Sequence, residues 1–502
     1  MTYTTVIYGP PGTGKTTRII DILKSELDSG QDPKRVGLVS FTRAAAKELS
    51  SRLDNKIPKK WACTLHSMAF KTAQLSSKQL LTPDDLMRFS RKIGIPLTNS
   101  EISEGIYSTK QFECRGDEYL SVYYLAQSKV NELSEQYQKS NRVGSLAEFI
   151  YFCTSYTKFK QNEGVYDYSD ILNCAMLAEG PPDIDILFVD EAQDLSNQQW
   201  TLLYKWLPDL KHIYLAGDDD QSIYGWGGAE PHGMAKFEKD TSATRIVLTQ
   251  SHRIPKNVHI LANKLISFIK KRVTKEYLPQ SEKGIIKVWN TPIKELSICQ
   301  GEDTLILYRN HRLRCGIEEL LINQKTPYSV LSGIPGCLDS REAKLLRLWH
   351  RIKHDFENAE LKPHELRWIK KYFKFKSMVA LESNNFEFFK NKQWQSIFRF
   401  DPKISEYFLA IEDTFSLDVI PTVRLSTIHA SKGMEADRVI IINAMGDKTR
   451  TSYYQDVENE IRTFYVGITR TKKRLDIVSG ADGLPHLNRC IQGAKQGATE
   501  EK

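Results

Sequence analysis

Near its N-terminus the chain reads Val6-Ile7-Tyr8-Gly9-Pro10-Pro11-Gly12-Thr13-Gly14-Lys15-Thr16-Thr17, and this stretch decides the fold of the first domain. An apolar strand enters a loop with glycine at its first and sixth positions, Lys and Thr follow, and a helical pattern begins at Thr17. This is P-loop spacing: the glycines let backbone N–H groups face phosphates, and the following helix adds the positive end of its dipole. Lys15 is therefore predicted to reach the β- and γ-phosphates of a nucleotide, and the Thr16 hydroxyl to bind Mg²⁺.

Size and composition describe an ordinary soluble protein of several domains. The chain has 502 residues, of which 40% are hydrophobic and 26% charged. No run approaches the ~18–20 apolar residues of a membrane span, and the N-terminus passes directly into a strand. We therefore expect no membrane contact and a cytoplasmic location, associated with the nucleoid or, for a viral protein, in the host cytoplasm. The net charge of +8 fits a nucleic-acid groove without proving one, and the eight scattered cysteines suggest neither zinc nor disulfides.

After the P-loop, strands alternate with helices, which predicts a parallel sheet. The alternation stops between about Ser77 and Gly164, where a polar, helical pattern indicates an inserted subdomain. Beyond it a continuous apolar strand ends in Asp190 and Glu191. Because ligands of parallel α/β sheets bind at the carboxyl ends of the strands, we expect Asp190 to support Mg²⁺ and Glu191 to activate the attacking water.

A further apolar strand at 213–216, interpreted as an edge strand, leads into the polar run Gly217–Gln221, whose side chains are expected to reach the γ-phosphate. The run Ile223–Gly228 that follows is too exposed in character for a core. An aromatic ring on a glycine-rich loop beside a nucleotide suits stacking on a base, which is worth ~1–3 kcal/mol per base. Trp226 is the candidate, and packing at a domain boundary stays open as its alternative.

A second sheet begins beyond residue 250 and carries no P-loop, so one nucleotide site is expected. The helical stretch 340–420 interrupts it and is basic and aromatic. Within this stretch Arg367–Lys374 reads either as an amphipathic helix on a core or as a surface that contacts duplex, and the sequence does not decide. The predicted boundaries are 1–77 and 165–249 for the first domain, 78–164 for its insertion, 250–339 and 421–485 for the second domain, 340–420 for its insertion, and 486–502 for a flexible tail.

Nine ordered blocks resemble the superfamily 1 helicases of the UvrD/Rep/PcrA type. They are GPPGTGKT, SFTRAAAKEL, TLHSMAF, VDEAQDL, AGDDDQSIYGWGGA, LTQSHR, LILYRN, LSTIHASKGMEADRV and YVGITRTKKRL. The long GDDDQSIYGW run is similar to the 3′→5′ branch in particular. The resemblance covers most of the chain and implies an α/β fold of two RecA-like P-loop NTPase domains with parallel sheets, each carrying a mainly helical insertion. It also implies ATP in the cleft between the domains and single-stranded DNA across their top.

The same resemblance assigns roles to individual residues. ATP contacts are implied for Gly9, Pro10, Pro11, Gly12, Thr13, Gly14, Lys15, Thr16, Thr17, Arg18, His252 and Glu435, with Glu435 on the ribose. Metal contacts are implied for Thr16 and Asp190. Catalytic roles are implied for Glu191 as the base, Gln221 as the γ-phosphate sensor, and Arg253 and Arg470 as arginine fingers from the second domain. DNA contacts are implied for Phe41, Thr64, His66, Trp226 and His429.

Four departures from the family pattern leave strict ATP preference and unwinding strength open. Only eight residues precede Gly9, so the upstream glutamine motif that reads adenine is missing from the sequence. His252 stands where the family usually has a tyrosine that stacks on adenine, and Thr17 stands where an arginine commonly follows GKT, with Arg18 one place further on. The second insertion is also shorter than in the best-known members.

The leading prediction is an ATP- and Mg²⁺-dependent 3′→5′ DNA helicase or translocase, acting in DNA repair or replication. Its partners would be single-stranded DNA and junctions of single- and double-stranded DNA, and a loading protein is left open. One alternative is a translocase that displaces proteins from single strands without processive unwinding. Another is the motor subunit of a nuclease or repair complex, or a non-catalytic scaffold. The presence of Lys15, Asp190, Glu191 and both arginines argues against a scaffold.

Overall fold

The computed structural model describes residues 2–54, 56–98, 102–103, 106–107, 114–140, 144–290, 293–331, 336–354, 358, 361–390, 392–480 and 482–497. Its contacts divide the chain into two compact units. Unit 1 consists of Met1–Arg253 and Ile269–Gln280, and unit 2 consists of Ile254–Phe268 and Ser281–Lys502. Each unit carries one large parallel sheet, so the predicted α/β class with two parallel sheets is confirmed.

Unit 1 contains strands and helices in the alternation that the sequence indicated. The strands are β1 (Tyr3–Tyr8), β2 (Val36–Val39), β3 (Ala62–Cys63), β4 (Ile102–Ser103), β5 (Ile106–Tyr107), β6 (Ile186–Val189), β7 (His212–Gly217) and β8 (Thr244–Val247). The helices are α1 (Lys15–Asp28), α2 (Arg43–Arg52), α3 (Leu65–Thr72), α4 (Pro83–Ile93), α5 (Arg115–Lys129), α6 (Leu133–Gln138), α7 (Leu146–Glu163), α8 (Tyr168–Leu177), α9 (Asn197–Trp206) and α10 (Gly233–Thr241).

The sheet of unit 1 has the order β3-β2-β6-β7-β1-β8, and all of its pairings are parallel. β7 pairs with β1 on one side and with β6 on the other. The interpretation of 213–216 as an edge strand was therefore wrong, because a short apolar run suits an interior strand equally well. The arrangement brings the carboxyl ends of β1, β6 and β7 to one edge of the sheet.

The insertion of unit 1 is mainly helical over its described residues, with α4 to α7 and the antiparallel pair β4–β5. Its core is aromatic, with Phe89, Tyr119, Phe149, Phe152 and Tyr156 all fully buried. Helix α4 shows how the local sequence sets such boundaries. The Thr82 hydroxyl caps its N-terminus while the Asp85 carboxylate accepts from the Thr82 N–H at 2.8 Å, and Gly94 ends the helix at φ 72°.

Unit 2 is built on a second six-stranded parallel sheet, in the order β11-β12-β10-β13-β14-β9. Its strands are β9 (Ile285–Trp289), β10 (Thr304–Tyr308), β11 (Tyr328–Val330), β12 (Val423–Thr427), β13 (Ala436–Asn443) and β14 (Thr471–Ser479). Its helices are α11 (Lys256–Ile266), α12 (Arg314–Asn323), α13 (Arg341–Ile352), α14 (Pro363–Tyr372), α15 (Phe375–Glu382), α16 (Trp394–Ile397), α17 (Pro402–Thr414), α18 (Asp447–Gln455), α19 (Val457–Ile468) and α20 (Pro485–Gly497). Among the described helices of either unit, none is long and apolar enough to cross a membrane.

The C-terminal segment contains a packed helix where a flexible tail was predicted. Helix α20 covers Pro485–Gly497 and packs against α11. Leu484, Leu487 and Cys490 are fully buried at three-residue intervals. The prediction was wrong over this range because the polar composition of the segment hides one apolar stripe of helical period. Residues 498–502 lie outside the described residues.

Candidate functional site

The loop from Gly9 to Gly14 connects β1 to α1 in a closed turn. The Gly9 N–H donates to the Gly217 carbonyl at 3.0 Å, and the Thr13 hydroxyl donates to the Pro10 carbonyl at 2.8 Å. Gly12 and Gly14 have φ of 74° and 83°, the left-handed region that side chains disfavour. The glycines of the motif are therefore required by the backbone conformation.

Lys15 folds back over this loop. Its Nζ donates to the Gly9 carbonyl at 2.7 Å, and the side chain is almost completely buried. A Cβ added at Gly9 would lie 2.0 Å from Cγ of Lys15, so Gly9 leaves room for the lysine stem. The ammonium group is thus held at the loop where the phosphates of a nucleotide would bind.

Thr16 and Asp190 place two oxygen atoms side by side at the carboxyl edge of the sheet. The Thr16 hydroxyl donates to Oδ2 of Asp190 at 3.1 Å, and Asp190 is buried at the end of β6. Burial and the neighbouring Glu191 raise the pKa of Asp190 to about 7, against the lowering influence of Lys15. A buried carboxylate beside a hydroxyl is a donor set that suits Mg²⁺, and a cation there would favour the charged carboxylate.

A continuous chain of hydrogen bonds links Glu191 to Gln221. Gln193 Nε2 donates to Oε2 of Glu191 at 2.5 Å, and Oε1 of Gln193 accepts from the Asp218 N–H at 3.0 Å. Gln221 Nε2 donates to Oδ2 of Asp218 at 2.7 Å. The predicted base and the predicted γ-phosphate sensor therefore belong to one network. It passes through Asp218, from the polar run 217–221, and through Gln193, which sequence reasoning did not single out.

Lys275 is a further residue that sequence reasoning missed. Its side chain is 1% exposed, and its ammonium group forms ion pairs with Asp218 at 2.7 Å, with Asp220 at 3.1 Å, and with Asp219. Arg272 adds a two-pronged contact to Asp220, at 2.8 and 2.5 Å. The three buried aspartates lie close enough to hold a metal ion, but the lysine ammonium occupies the space among them. Three consecutive acidic residues after an apolar strand were the signal that a buried cation had to be found elsewhere in the chain.

The segment Ser251–Arg253 packs directly on the P-loop. The His252 N–H donates to the Gly12 carbonyl at 2.9 Å, and the Ser251 hydroxyl donates to the Pro11 carbonyl at 2.8 Å. A Cβ added at Gly12 would lie 2.5 Å from Cβ of Arg253. His252 and Arg253 thus lie beside the loop as part of unit 1, whereas the sequence had assigned them to the second domain. The predicted boundary differs from the observed one because residues 251–253, which precede α11 in the sequence, make their backbone contacts with the P-loop.

Three of the predicted DNA contacts lie in one aromatic region of unit 1. The Phe41 ring stacks on Tyr224, with centroids 4.9 Å apart and planes 20° apart, and Trp226 meets Tyr224 edge-on at 6.1 Å. His66 meets Tyr168 at 5.5 Å, and Phe41, His66, Tyr168 and Tyr224 line a common cavity. The tyrosines were not predicted.

The predicted DNA contacts in this region differ in burial and in protonation. Trp226 is partly buried and Ile223 fully buried, so the run 223–228 is less exposed than its composition suggested. Burial lowers the pKa of His66 to about 4, opposed by Asp167, so the ring is neutral at pH 7. Thr64 is buried and its hydroxyl caps α3 by accepting from the Ser67 N–H at 3.3 Å.

The remaining predicted residues occupy two places. Thr17 and Arg18 are exposed on the first turn of α1. Arg470, His429 and Glu435 belong to unit 2. Arg470 is buried, its Nε donates to the Val466 carbonyl at 2.9 Å, and its carbonyl accepts from the Ala436 N–H at 3.1 Å, which brings it beside the exposed Glu435.

Comparisons with known proteins agree in both halves of the chain. Residues 1–242 match the UvrD/REP helicase N-terminal domain, and residues 364–481 match the UvrD-like helicase C-terminal domain. The chain is 24% identical to the ATP-dependent DNA helicase Rep of Buchnera aphidicola subsp. Acyrthosiphon pisum, over 94% of this chain and 91% of that protein. It is 24% identical to the ATP-dependent DNA helicase PcrA of Leuconostoc citreum and 26% identical to DNA helicase II of Haemophilus influenzae, over 65% and 59% of this chain. Those two alignments span 48% and 45% of the relatives' own lengths.

Proposed function

We propose that this chain, which belongs to the UvrD/Rep/PcrA family of superfamily 1 helicases, is an ATP-dependent DNA helicase that moves 3′→5′ along single-stranded DNA. The observation that carries the proposal is the hydrogen-bonded network at the sheet edge of unit 1. That network joins Glu191 to Gln221 through Gln193 and Asp218. Glu191 directly follows Asp190, which with Thr16 forms the oxygen pair that suits Mg²⁺. The matches to both helicase family domains support the same assignment.

Each residue of the edge has a defined task in ATP hydrolysis. The loop amides and Lys15 bind the phosphates, and Thr16 with Asp190 would hold Mg²⁺, which offsets phosphate charge when it is bound. Glu191 accepts the proton of the attacking water, and Gln221 contacts the γ-phosphate. Because Gln221 and Glu191 share one network, a shift of Gln221 on phosphate binding changes the hydrogen bonding of the base.

Two arginines complete the proposed catalytic set. The contact of Gly12 with Arg253 supports a role for Arg253 at the phosphates, and the VGITR motif supports Arg470. An arginine that stabilises the transition-state charge is worth ~10³–10⁵ in rate. Glu435 on the ribose and His252 beside the base complete the nucleotide contacts that we propose.

The aromatic region of unit 1 is proposed to bind the DNA. Phe41, Trp226 and Tyr224 provide ring faces for bases, and His66 provides a neutral imidazole. Thr64 and His429 are further candidates, for contacts with the DNA backbone. Single strands and their junctions with duplex are the substrates that follow, in DNA repair or replication, and a location with the cell's DNA follows from that substrate.

The ATPase test compares Lys15→Ala and Glu191→Gln with Lys24→Ala, an exposed lysine on the same helix as Lys15. We expect slow ATP hydrolysis that single-stranded DNA stimulates. Both site variants should lose at least ~10²-fold in kcat while binding DNA, and Lys24→Ala should match the wild type. Equal loss in Lys24→Ala, or equal stimulation by RNA, would contradict the assignment.

The direction of movement needs strand displacement from 3′-tailed and 5′-tailed duplexes. Displacement of the 3′-tailed substrate alone is expected. If DNA-stimulated hydrolysis occurs without displacement of either substrate, removal of a bound protein from a single strand tests the translocase alternative. Preference for the 5′ tail would refute the proposed polarity.

A further inference from the structure

A cleft between α13 and α14 of unit 2 lies outside every site described above. It has a volume of about 190 Å³ and is lined by Arg341, Leu345, Trp368, Lys371 and Tyr372. Arg341 and Leu345 are four residues apart on α13, and Trp368 and Tyr372 are four residues apart on α14. Because residues at that spacing share one helix face, two faces meet across what we call the Trp368 cleft.

The walls of the Trp368 cleft combine aromatic rings, an aliphatic floor and cations. Leu345 is buried, Trp368 is 38% exposed, and Lys371 Nζ lies 5.9 Å from the centroid of Tyr372. Neither Arg341 nor Lys371 has a salt bridge to a carboxylate within the described residues. The cleft therefore presents two cations and two ring systems to the same space, and one carboxylate, that of Glu342, accepts from the Tyr372 hydroxyl at 3.3 Å.

The surrounding charge strengthens this character. Residues 362–376 contain six lysines and arginines against one glutamate, Glu365. That glutamate pairs with Arg351 at 3.1 Å and caps α14 by accepting from the Lys362 N–H. The helix thus offers its cations on a surface with little opposing charge, which attracts a polyanion.

The core of the insertion does not account for Trp368. Helix α14 uses Ile369 for burial, and the turn after it uses Phe373, both almost completely buried among aromatic residues of unit 2. Trp368 lies one position away and leaves more than a third of its surface exposed. An amphipathic helix that needed only a core contact would not require tryptophan at that boundary.

We propose that the Trp368 cleft binds an unpaired nucleotide of single-stranded DNA, with the base against Trp368 and Tyr372 and the phosphate at Arg341 and Lys371. The volume is below the ~300–1,000 Å³ of clefts for drug-sized ligands and suits one planar group. Aromatic stacking beside a basic track is the usual chemistry of single-strand binding. This inference rests on the proposed function and adds a contact for the strand in unit 2.

The test measures equilibrium binding, to the full chain, of a fluorescent oligothymidylate of about 30 nucleotides, which is longer than a typical site of ~4–16 nucleotides. Trp368→Ala should raise the Kd about tenfold. Lys371→Gln should weaken binding and reduce the slope of log K against log salt by about 0.7, the contribution of one phosphate on a single strand. The controls are Phe375→Ala, 82% exposed on α15, and Lys403→Gln, whose side chain is 70% exposed on α17; both should match the wild type.

A second readout does not depend on affinity. Photo-crosslinking of a 5-iodouracil oligonucleotide, followed by mass spectrometry of peptides, should yield an adduct in residues 363–372. An unchanged Kd in Trp368→Ala, together with the absence of such an adduct, overturns the inference. The proposed function stays intact in that case if single-stranded DNA still stimulates the ATPase activity of the wild type. Binding of an acidic peptide at the cleft in preference to the oligonucleotide also overturns it. Failure of the wild type to bind the oligonucleotide at all refutes the proposed function instead.

Discussion

Replacing Lys275 with methionine tests the buried network of unit 1 most directly. The substitution keeps the length of the side chain and removes the ammonium group that Asp218, Asp219 and Asp220 share. Arg272 keeps both of its hydrogen bonds to Asp220. Asp218 and Asp219 would then lose the Lys275 ammonium while they stay buried, and Asp218 also accepts the hydrogen bond that Gln221 Nε2 donates.

The size of the effect follows from the burial of every partner. Lys275 is 1% exposed, and the three carboxylates are between 0% and 2% exposed. Removing one partner of a buried ion pair costs about 3–5 kcal/mol, because the other charge stays without compensation. At ~2–4 °C per kcal/mol for a unit of this size, the apparent Tm of the Lys275→Met variant should fall by roughly 6–20 °C.

The assay is thermal unfolding, with Lys211→Met as the matched control. Lys211 also pairs with an aspartate, Asp185 at 3.0 Å, but its side chain is 71% exposed. An exposed pair contributes about 0–1 kcal/mol, so this control should lie within a few degrees of the wild type. Equal Tm shifts in the two variants would show that burial of Lys275 does not matter, and a shift below about 2 °C in Lys275→Met would refute the reasoning.

The pH dependence of the Tm difference between Lys275→Met and the wild type is an independent test of the same reasoning. Burial raises the pKa of Asp219, and Lys275 is the largest opposing influence, so its loss raises that pKa further. A carboxyl whose folded pKa lies above its unfolded value binds protons more tightly in the folded state, so its destabilising effect disappears as the pH falls through the raised value. The Tm deficit of Lys275→Met should therefore shrink between pH 7 and pH ~4. A constant deficit would contradict the electrostatic origin.

Two further predictions concern α20 and His66. Leu487→Ala should lower the free energy of unfolding by about 2–5 kcal/mol in urea titration, because the side chain is fully buried, whereas the exposed Arg489→Ala should change it by less than about 0.5 kcal/mol. Equal, small effects of the two substitutions would contradict the packing of α20 and favour a flexible tail at residues 485–497. For His66, the folded pKa of about 4 lies below the unfolded value of ~6.5, so stability is full above pH ~6.5 and is lost as the pH falls toward 4, by up to about 3 kcal/mol. His66→Gln should remove that part of the acid sensitivity, while His232→Gln, at an exposed position, should not.

The placements that the sequence predicted best are those set by neighbouring residues in the chain. Lys15 and Thr16 follow a glycine loop whose spacing is itself the geometry, and Asp190 follows an apolar strand. In each case the chemistry depends on a few consecutive residues at the end of one strand. Their assembly at one edge then follows from the parallel pairing of β1, β6 and β7.

The residues that sequence reasoning missed depend on distant partners. Lys275 is 55 to 57 positions from its aspartates and stands in a polar run that resembles a linker. Tyr168 lines the same cavity as Phe41, but the two residues are separated in the sequence by the whole helical insertion. For α20 the apolar spacing of Leu484, Leu487 and Cys490 was present in the sequence, but the polar residues around it concealed the period.

The discontinuity of unit 1 determines how the gene could be split. A polypeptide stopped at Arg253 would keep Asp218, Asp219 and Asp220 and lose residues 269–280, which carry their counter-ion. Such a fragment should misfold or precipitate, while one extended to Gln280 retains all of unit 1 and adds only one helix, α11. A synthetic peptide of residues 269–280 supplied in trans would then be expected to rescue the shorter fragment, as in complementation of split enzymes.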